Sequence, residues 1–217
     1  MKHPFILSFP RSGLHLTSKI IGWDLFVDFK LMHEEKQIVN KIKENKKEIL
    51  FTHKTTKMLS INCINFILCE TKPILIIRDP RDALSSWYHL YIKNTNAVQS
   101  TENLREFLEQ PFCIKGDAVS KSKISLWRDH VRGYKKYENK IHTIIYENLI
   151  NNYEKECKKL SEYLGFEVKK EMPTLEQVEM SRKGIIGDHK NLLKNDMIEK
   201  INSECEQEIK YINSLLY

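Results

Sequence analysis

Residues 4–16, PFILSFPRSGLHL, constrain the fold more than any other stretch of this chain. Phe5 to Phe9 is an apolar run about as long as one buried strand. Pro10 ends it, Arg11-Ser12-Gly13 turns the chain, and Leu16, Ile20 and Ile21 follow at helical spacing. A tight turn between a strand and a helix N-terminus presents backbone N–H groups and the positive end of the helix dipole, a geometry that binds phosphate-like anions. Arg11 adds a permanent charge on a bidentate fork. The same pattern suits an ordinary strand–turn–helix connection, so other stretches have to decide.

Three more short apolar runs follow. Glu48 to Thr52 (EILFT) reads as a strand ending at His53-Lys54. Ile74 to Ile77 is a continuous branched run, as in a strand buried on both faces. Ile141 to Tyr146 (IHTIIY) reads as a fourth strand. Between them, 57–70, Pro80 to about Lys93, 101–110, 121–138 and 151–164 read as helices, and Gly165 stops the last of these. The charged stretch 34–48 reads as a solvated helix or loop. Residues 195–216 read as one amphipathic helix with Met197, Ile201, Cys205, Ile209, Ile212 and Leu216 on a stripe. Strands alternating with helices predict an α/β fold, one domain over 1–217, with a central parallel sheet flanked by helices. Ligands of such sheets bind beyond the carboxyl ends of the strands, which here carry Arg11, His53, Arg78 and Tyr146.

With 41% hydrophobic and 29% charged residues among 217, the chain can bury a sizeable core, and its net charge of +6 suits an anionic ligand. The basic residues are interspersed with acidic ones, which argues against a specific nucleic-acid partner. Five cysteines with no CxxC pair predict reduced thiols rather than a disulfide framework or a zinc site. No stretch approaches the ~20 apolar residues of a membrane span, so a soluble, cytoplasmic protein is expected.

Two further stretches carry chemistry. In IIRDPRDALSSWYHL, Arg78 stands at a strand end and Ser86 about two turns into the next helix, so both could meet one anion. Taken alone, they also fit a surface ion pair and a neutral helix residue. In SRKGIIGDHKN, residues 181–191, two glycines and an Arg-Lys pair describe a mobile basic loop that could order over an anion, or simply a basic surface loop.

Taken together, PRSG, Thr52-His53, RDPRDALSSWYH, Trp127 with His130-Val131, Tyr146-Glu147 and RKGxxGDxKN, in this order from Phe5 to about Leu193, resemble the PAPS-dependent sulfotransferases, cytosolic-type and bacterial. PAPS is 3′-phosphoadenosine 5′-phosphosulfate, and PAP is the product left when its sulfuryl group departs. The resemblance implies that Arg11, Ser12, Gly13, Leu14, His15 and Leu16 hold the 5′-phosphosulfate, with Arg11 also catalytic at the bridging oxygen. Leu14-His15-Leu16 replaces the family's two hydroxyls and its adenine-stacking aromatic, which leaves backbone donors and His15.

By the same resemblance, Arg78 and Ser86 bind the 3′-phosphate, Arg182, Lys183 and Gly184 close on it, and Tyr146 contacts adenine. Trp127, His130 and Val131 are expected to pack. His53 aligns with the family's catalytic base, while the family's nearby lysine is Phe51 here. The implied reaction is sulfuryl transfer from PAPS to a hydroxyl or amine of a small acceptor, without a metal. The alternatives are a nucleotide-binding but catalytically degenerate member, or a P-loop-like kinase, although no GxxxxGK[ST] pattern is present. The sequence sets neither the acceptor nor the oligomeric state.

Overall fold

The computed structural model describes residues 2–25, 34–44, 48–96, 99–114, 117–178 and 184–216. In chain order the elements are β1 (His3–Ser8), α1 (Leu14–Ile21), β2 (Asp24–Leu25), α2 (Glu35–Glu44), β3 (Glu48–Thr52), α3 (Ile61–Glu70), β4 (Thr71–Ile77) and α4 (Pro80–Thr95). They continue with α5 (Thr101–Glu109), β5 (Phe112–Ile114), β6 (Asp117–Ser120), α6 (Lys123–Lys135), β7 (His142–Ile145), α7 (Tyr146–Asn151), α8 (Tyr153–Leu164), α9 (Asn195–Glu204) and α10 (Glu206–Leu215).

The main sheet has the order β2-β3-β1-β4-β7, and every pairing in it is parallel. The expected α/β architecture is therefore present. Its strands read as unbroken apolar runs because both faces are covered. Alternate residues divide between two cores. Phe5, Leu7, Leu50, Leu75, Ile77 and Ile145 face α3, α4, α5, α6 and α9, while Ile6, Ile49, Phe51, Ile74, Ile76 and Ile144 face α1 and α8. The chain passes from β3 on one side of β1 to β4 on the other, so the carboxyl ends of β1 and β4 flank the crevice where the winding reverses.

Helix starts follow their caps. Ser60 opens α3 by accepting the Cys63 N–H, Asp79 opens α4 by accepting the Arg81 N–H ahead of Pro80, and Ser122 and Ser125 form a reciprocal box at α6. Inside α6, Gly133 lies against Thr56, whose hydroxyl oxygen would stand 2.1 Å from an added Cβ.

Several expected boundaries are corrected. The helix expected over 57–70 is a short 3-10 turn at Thr56–Met58 followed by α3. The fourth strand stops at Ile145, so Tyr146 opens α7 rather than ending a strand, and Asn152 separates α7 from α8. The helix expected over 195–216 is two, α9 and α10, divided at Cys205, while the apolar stripe runs on through the break. The two-residue β2 and the antiparallel β5–β6 pair were not anticipated. Among the described residues, no helix is long and apolar enough to cross a membrane.

Candidate active site

The loop after β1 joins two residues of positive φ to a helix start without a side-chain cap. Arg11 has φ 68°, and Gly13, with φ 113°, is the N-cap of α1. A side chain at position 13 is excluded twice, by that backbone conformation and by Tyr146, whose Cδ2 would lie 2.7 Å from an added Cβ. Unlike α3, α4 and α6, α1 has no side-chain cap, and its first turn carries no acidic residue. Its first N–H groups have no partner within the helix, and the dipole favours an anion there. The Ser12 hydroxyl is fully buried and has no hydrogen-bond partner, and the same is true of Thr17 one turn into the helix. Leu14 and Leu16 pack into the core with Ile20 and Phe51, which leaves their backbone N–H groups, not their side chains, at the helix start.

Arg78 closes the site from β4. One guanidinium nitrogen donates to the Arg11 carbonyl at 3.2 Å and another to the Ile185 carbonyl at 3.3 Å. The group lies 4.5 Å above the Tyr146 ring. Its Nε is buried without a partner, although the residue is only 8% exposed. A buried cationic donor left unsatisfied is costly, and an incoming anion removes the penalty. Arg11 Nε donates to the Ser86 hydroxyl at 3.2 Å, and Tyr146 Oη donates to the Gly184 carbonyl at 3.5 Å. Arg11, Ser86, Arg78, Tyr146 and Gly184 are therefore brought together from five parts of the chain. Arg182 and Lys183 lie outside the described residues.

His53 stands past the end of β3, next to the end of β1. Its Nδ1 is 2.7 Å from the Ser8 carbonyl oxygen and 3.2 Å from the Ser8 hydroxyl. A carbonyl only accepts, so Nδ1 carries the proton and the neutral ring has its lone pair on Nε2. His130 is fully buried near it, between Phe9 and Tyr134. Burial first, and then the neighbouring His53, push its pKa down to about 3. It is therefore neutral at physiological pH and too weak a base to serve there. Trp127, His130 and Val131 are all in the core, as expected for packing residues. Phe51, in the family's lysine position, is also in the core. The next basic residue, Lys54, is buried and acts electrostatically on Glu35 and Cys63, on the side of α2 and α3.

Residues 2–213 match the family model of the sulfotransferase domain. The chain belongs to the sulfotransferase family. It is 31% identical over 110 residues to the 3-alpha-hydroxysteroid sulfotransferase of Cavia porcellus, a match covering 49% of this chain and 36% of that one. To sulfotransferase 2A1 of Mus musculus it is 27% identical over 157 residues, 58% of this chain and 52% of that one. The matches thus span from about a third to about half the length of these curated relatives. Among solved structures, mouse sulfotransferase SULT7A1 complexed with PAP matches with a TM-score of 0.69 at 20% identity, over 100% of this chain and 90% of that one. Retinol dehydratase in complex with androsterone and inactive cofactor PAP matches with a TM-score of 0.66 at 12% identity, over 97% and 82%. At these identities the likeness is one of fold.

Two residues inside the quoted motifs were given no role of their own from the sequence. Asp82, on the first turn of α4, binds the segment around His189. Glu147, next to Tyr146, accepts the Asp79 N–H at 3.0 Å through one carboxyl oxygen, while the other is buried without a partner. Burial, above all, pushes the Glu147 carboxyl up from 4.5 to about 7. With the folded value above the unfolded one, the folded state holds the extra proton between those values. Its stabilising effect is full below the unfolded pKa and is lost as pH rises through about 7. Glu147→Gln is therefore expected to raise the melting temperature at about pH 8 and to change it little at about pH 5, with a ceiling of about 3 kcal/mol. Equal shifts at both pH values would contradict this assignment.

Proposed function

We propose that this chain is a PAPS-dependent sulfotransferase, working as one domain, that moves a sulfuryl group in line to a hydroxyl or amine of a small acceptor. The observation that carries the reading is Arg78, a buried guanidinium with an unpartnered Nε, held beside an uncapped helix start. That arrangement suits a ligand with phosphate groups at two positions. The orphaned Ser12 hydroxyl and the excluded side chain at Gly13 fit the same ligand. The five free cysteines suit a reducing, cytoplasmic setting.

PAPS supplies the sulfuryl group on a nucleotide that departs as PAP. Around it, Arg78 and Ser86 bind the 3′-phosphate, together with Arg182, Lys183 and Gly184. The N–H groups from Gly13 to Leu16, with Ser12 and His15, hold the 5′ side, and Tyr146 contacts adenine. Arg11 offsets the negative charge that grows on the leaving oxygen as the bond from sulfur to that oxygen breaks. His53 Nε2 takes the proton from the acceptor as its oxygen or nitrogen bonds to sulfur, and Nδ1–H stays fixed on Ser8. Positioning and charge stabilisation carry most of such a transfer.

Calorimetry tests the nucleotide part directly. PAP should bind far more tightly than adenosine 5′-phosphate, because only PAP carries the 3′-phosphate. Equal affinities would overturn the reading. A second reading, nucleotide binding without catalysis, is favoured by one observation: position 51 is a buried Phe. Turnover with an acceptor separates the two.

A further inference from the structure

Asp82 holds the described part of the 184–191 segment by three hydrogen bonds. Its side chain is 1% exposed, on the first turn of α4. One carboxyl oxygen accepts the Gly187 N–H at 2.6 Å. The other accepts the His189 N–H at 3.0 Å and His189 Nδ1–H at 2.7 Å. Burial alone would raise the Asp82 pKa, but His189, Gly187 and the nearby Arg78 charge outweigh it and hold the carboxyl below its ordinary value.

The residues between these ties differ in burial: Asp188 and His189 are buried, and the two isoleucines before them are not. Ile185 is 50% exposed and Ile186 is 38% exposed, so both apolar side chains are only partly covered. Among the described residues, nothing lies within 4 Å of a Cβ added at Gly187, which has φ 81°. Just before the latch, the carbonyls of Gly184 and Ile185 receive Tyr146 Oη and the Arg78 guanidinium. Asp82, the segment, Arg78 and Tyr146 thus form one closed set of contacts, and three donors onto a single buried carboxylate are its strongest tie.

We infer that Asp82 and His189 are positioning residues for nucleotide binding: they latch the 184–189 segment to α4, which fixes Arg78 for the 3′-phosphate. The inference rests on the nucleotide reading above. The latch itself does not touch the nucleotide. It acts through Ile185, whose carbonyl holds one arm of the guanidinium.

The test measures the affinities of PAP and adenosine 5′-phosphate by calorimetry on the full chain and takes their ratio. Asp82→Ala should cut the preference for PAP by at least about tenfold while weakening adenosine 5′-phosphate less than about threefold. Because both nucleotides are read on the same protein, a general loss of stability cancels in the ratio. His189→Ala should lower the ratio by about three- to tenfold, and His189→Asn, whose amide N–H can replace Nδ1–H, should restore most of it. This pair keeps the test open if Asp82→Ala does not fold. A parent that prefers PAP alongside variants with an unchanged ratio would overturn the latch and leave the nucleotide reading standing. A parent with no preference would overturn both.

Discussion

Arg78→Ala is expected to weaken PAP by roughly 2–5 kcal/mol, on the order of thirty- to several-thousandfold, while adenosine 5′-phosphate loses less than about tenfold. The size follows from the environment of the guanidinium. It is buried, it rests on the Tyr146 ring, and two of its donors are fixed on the Arg11 and Ile185 carbonyls. The orientation is therefore settled before the ligand arrives, and the unpartnered Nε gains a bond it lacks. Adenosine 5′-phosphate still feels the change slightly, because the Arg11 carbonyl loses its donor and the anion loop loosens. Arg78→Lys should fall between the two, since a point charge keeps attraction but cannot span two carbonyls and an anion. Calorimetric titration of both nucleotides measures this, and equal losses for both would remove Arg78 from the 3′-phosphate site.

Four of the five strands of the main sheet were legible because burial on both faces writes them as apolar runs, whereas the two-residue β2 is too short to leave one. Phe5 to Leu7 and Ile74 to Ile77 are such runs, of strand rather than helix length. The turn after β1 was legible because Pro10 and Gly13 mark it locally, whereas the close approach of Tyr146 to Gly13 comes from the fold. What escaped had no local signal. Cys205 ends one helix and begins the next at φ −115°, yet Met197, Ile201, Cys205 and Ile212 are buried along one stripe, so periodicity passes straight through the break. Tyr146 extended a β-branched run by one residue, but its ring is needed under Arg78 and over Gly13, and the chain turns into α7 there. Asp82 and His189 stand 107 residues apart, and only the fold brings the carboxylate to the loop. The substitution of Leu14 and Leu16 was visible in the sequence. That their side chains belong to the second core was not.

His53→Ala is expected to slow sulfuryl transfer by about 10²–10⁴-fold in single turnover at saturating PAPS, with PAP affinity within about threefold of the parent. The geometry separates the two effects. His53 reaches the Ser8 carbonyl through Nδ1, while Arg78, Ser86 and the start of α1 make the proposed nucleotide contacts elsewhere. The Ser8 bond also fixes which nitrogen can work: with the proton on Nδ1, Nε2 is the acceptor in every turnover. The neighbouring imidazole cannot take over, because burial and His53 itself keep His130 neutral down to about pH 3, leaving it too weak a base near neutral pH. Two other histidines serve as controls. His15→Ala should weaken nucleotide binding more than it slows the chemical step, since His15 is in the first turn of α1, and His89→Ala should do little to either. The acceptor comes from a screen with labelled PAPS. If the parent turns over and His53→Ala matches it, another group takes the proton or the acceptor needs no base, and the assignment of His53 falls. If PAP binds but no acceptor is sulfated by the parent, the buried Phe51 in place of the family's lysine becomes the explanation, and the chain is a nucleotide-binding member without transfer activity.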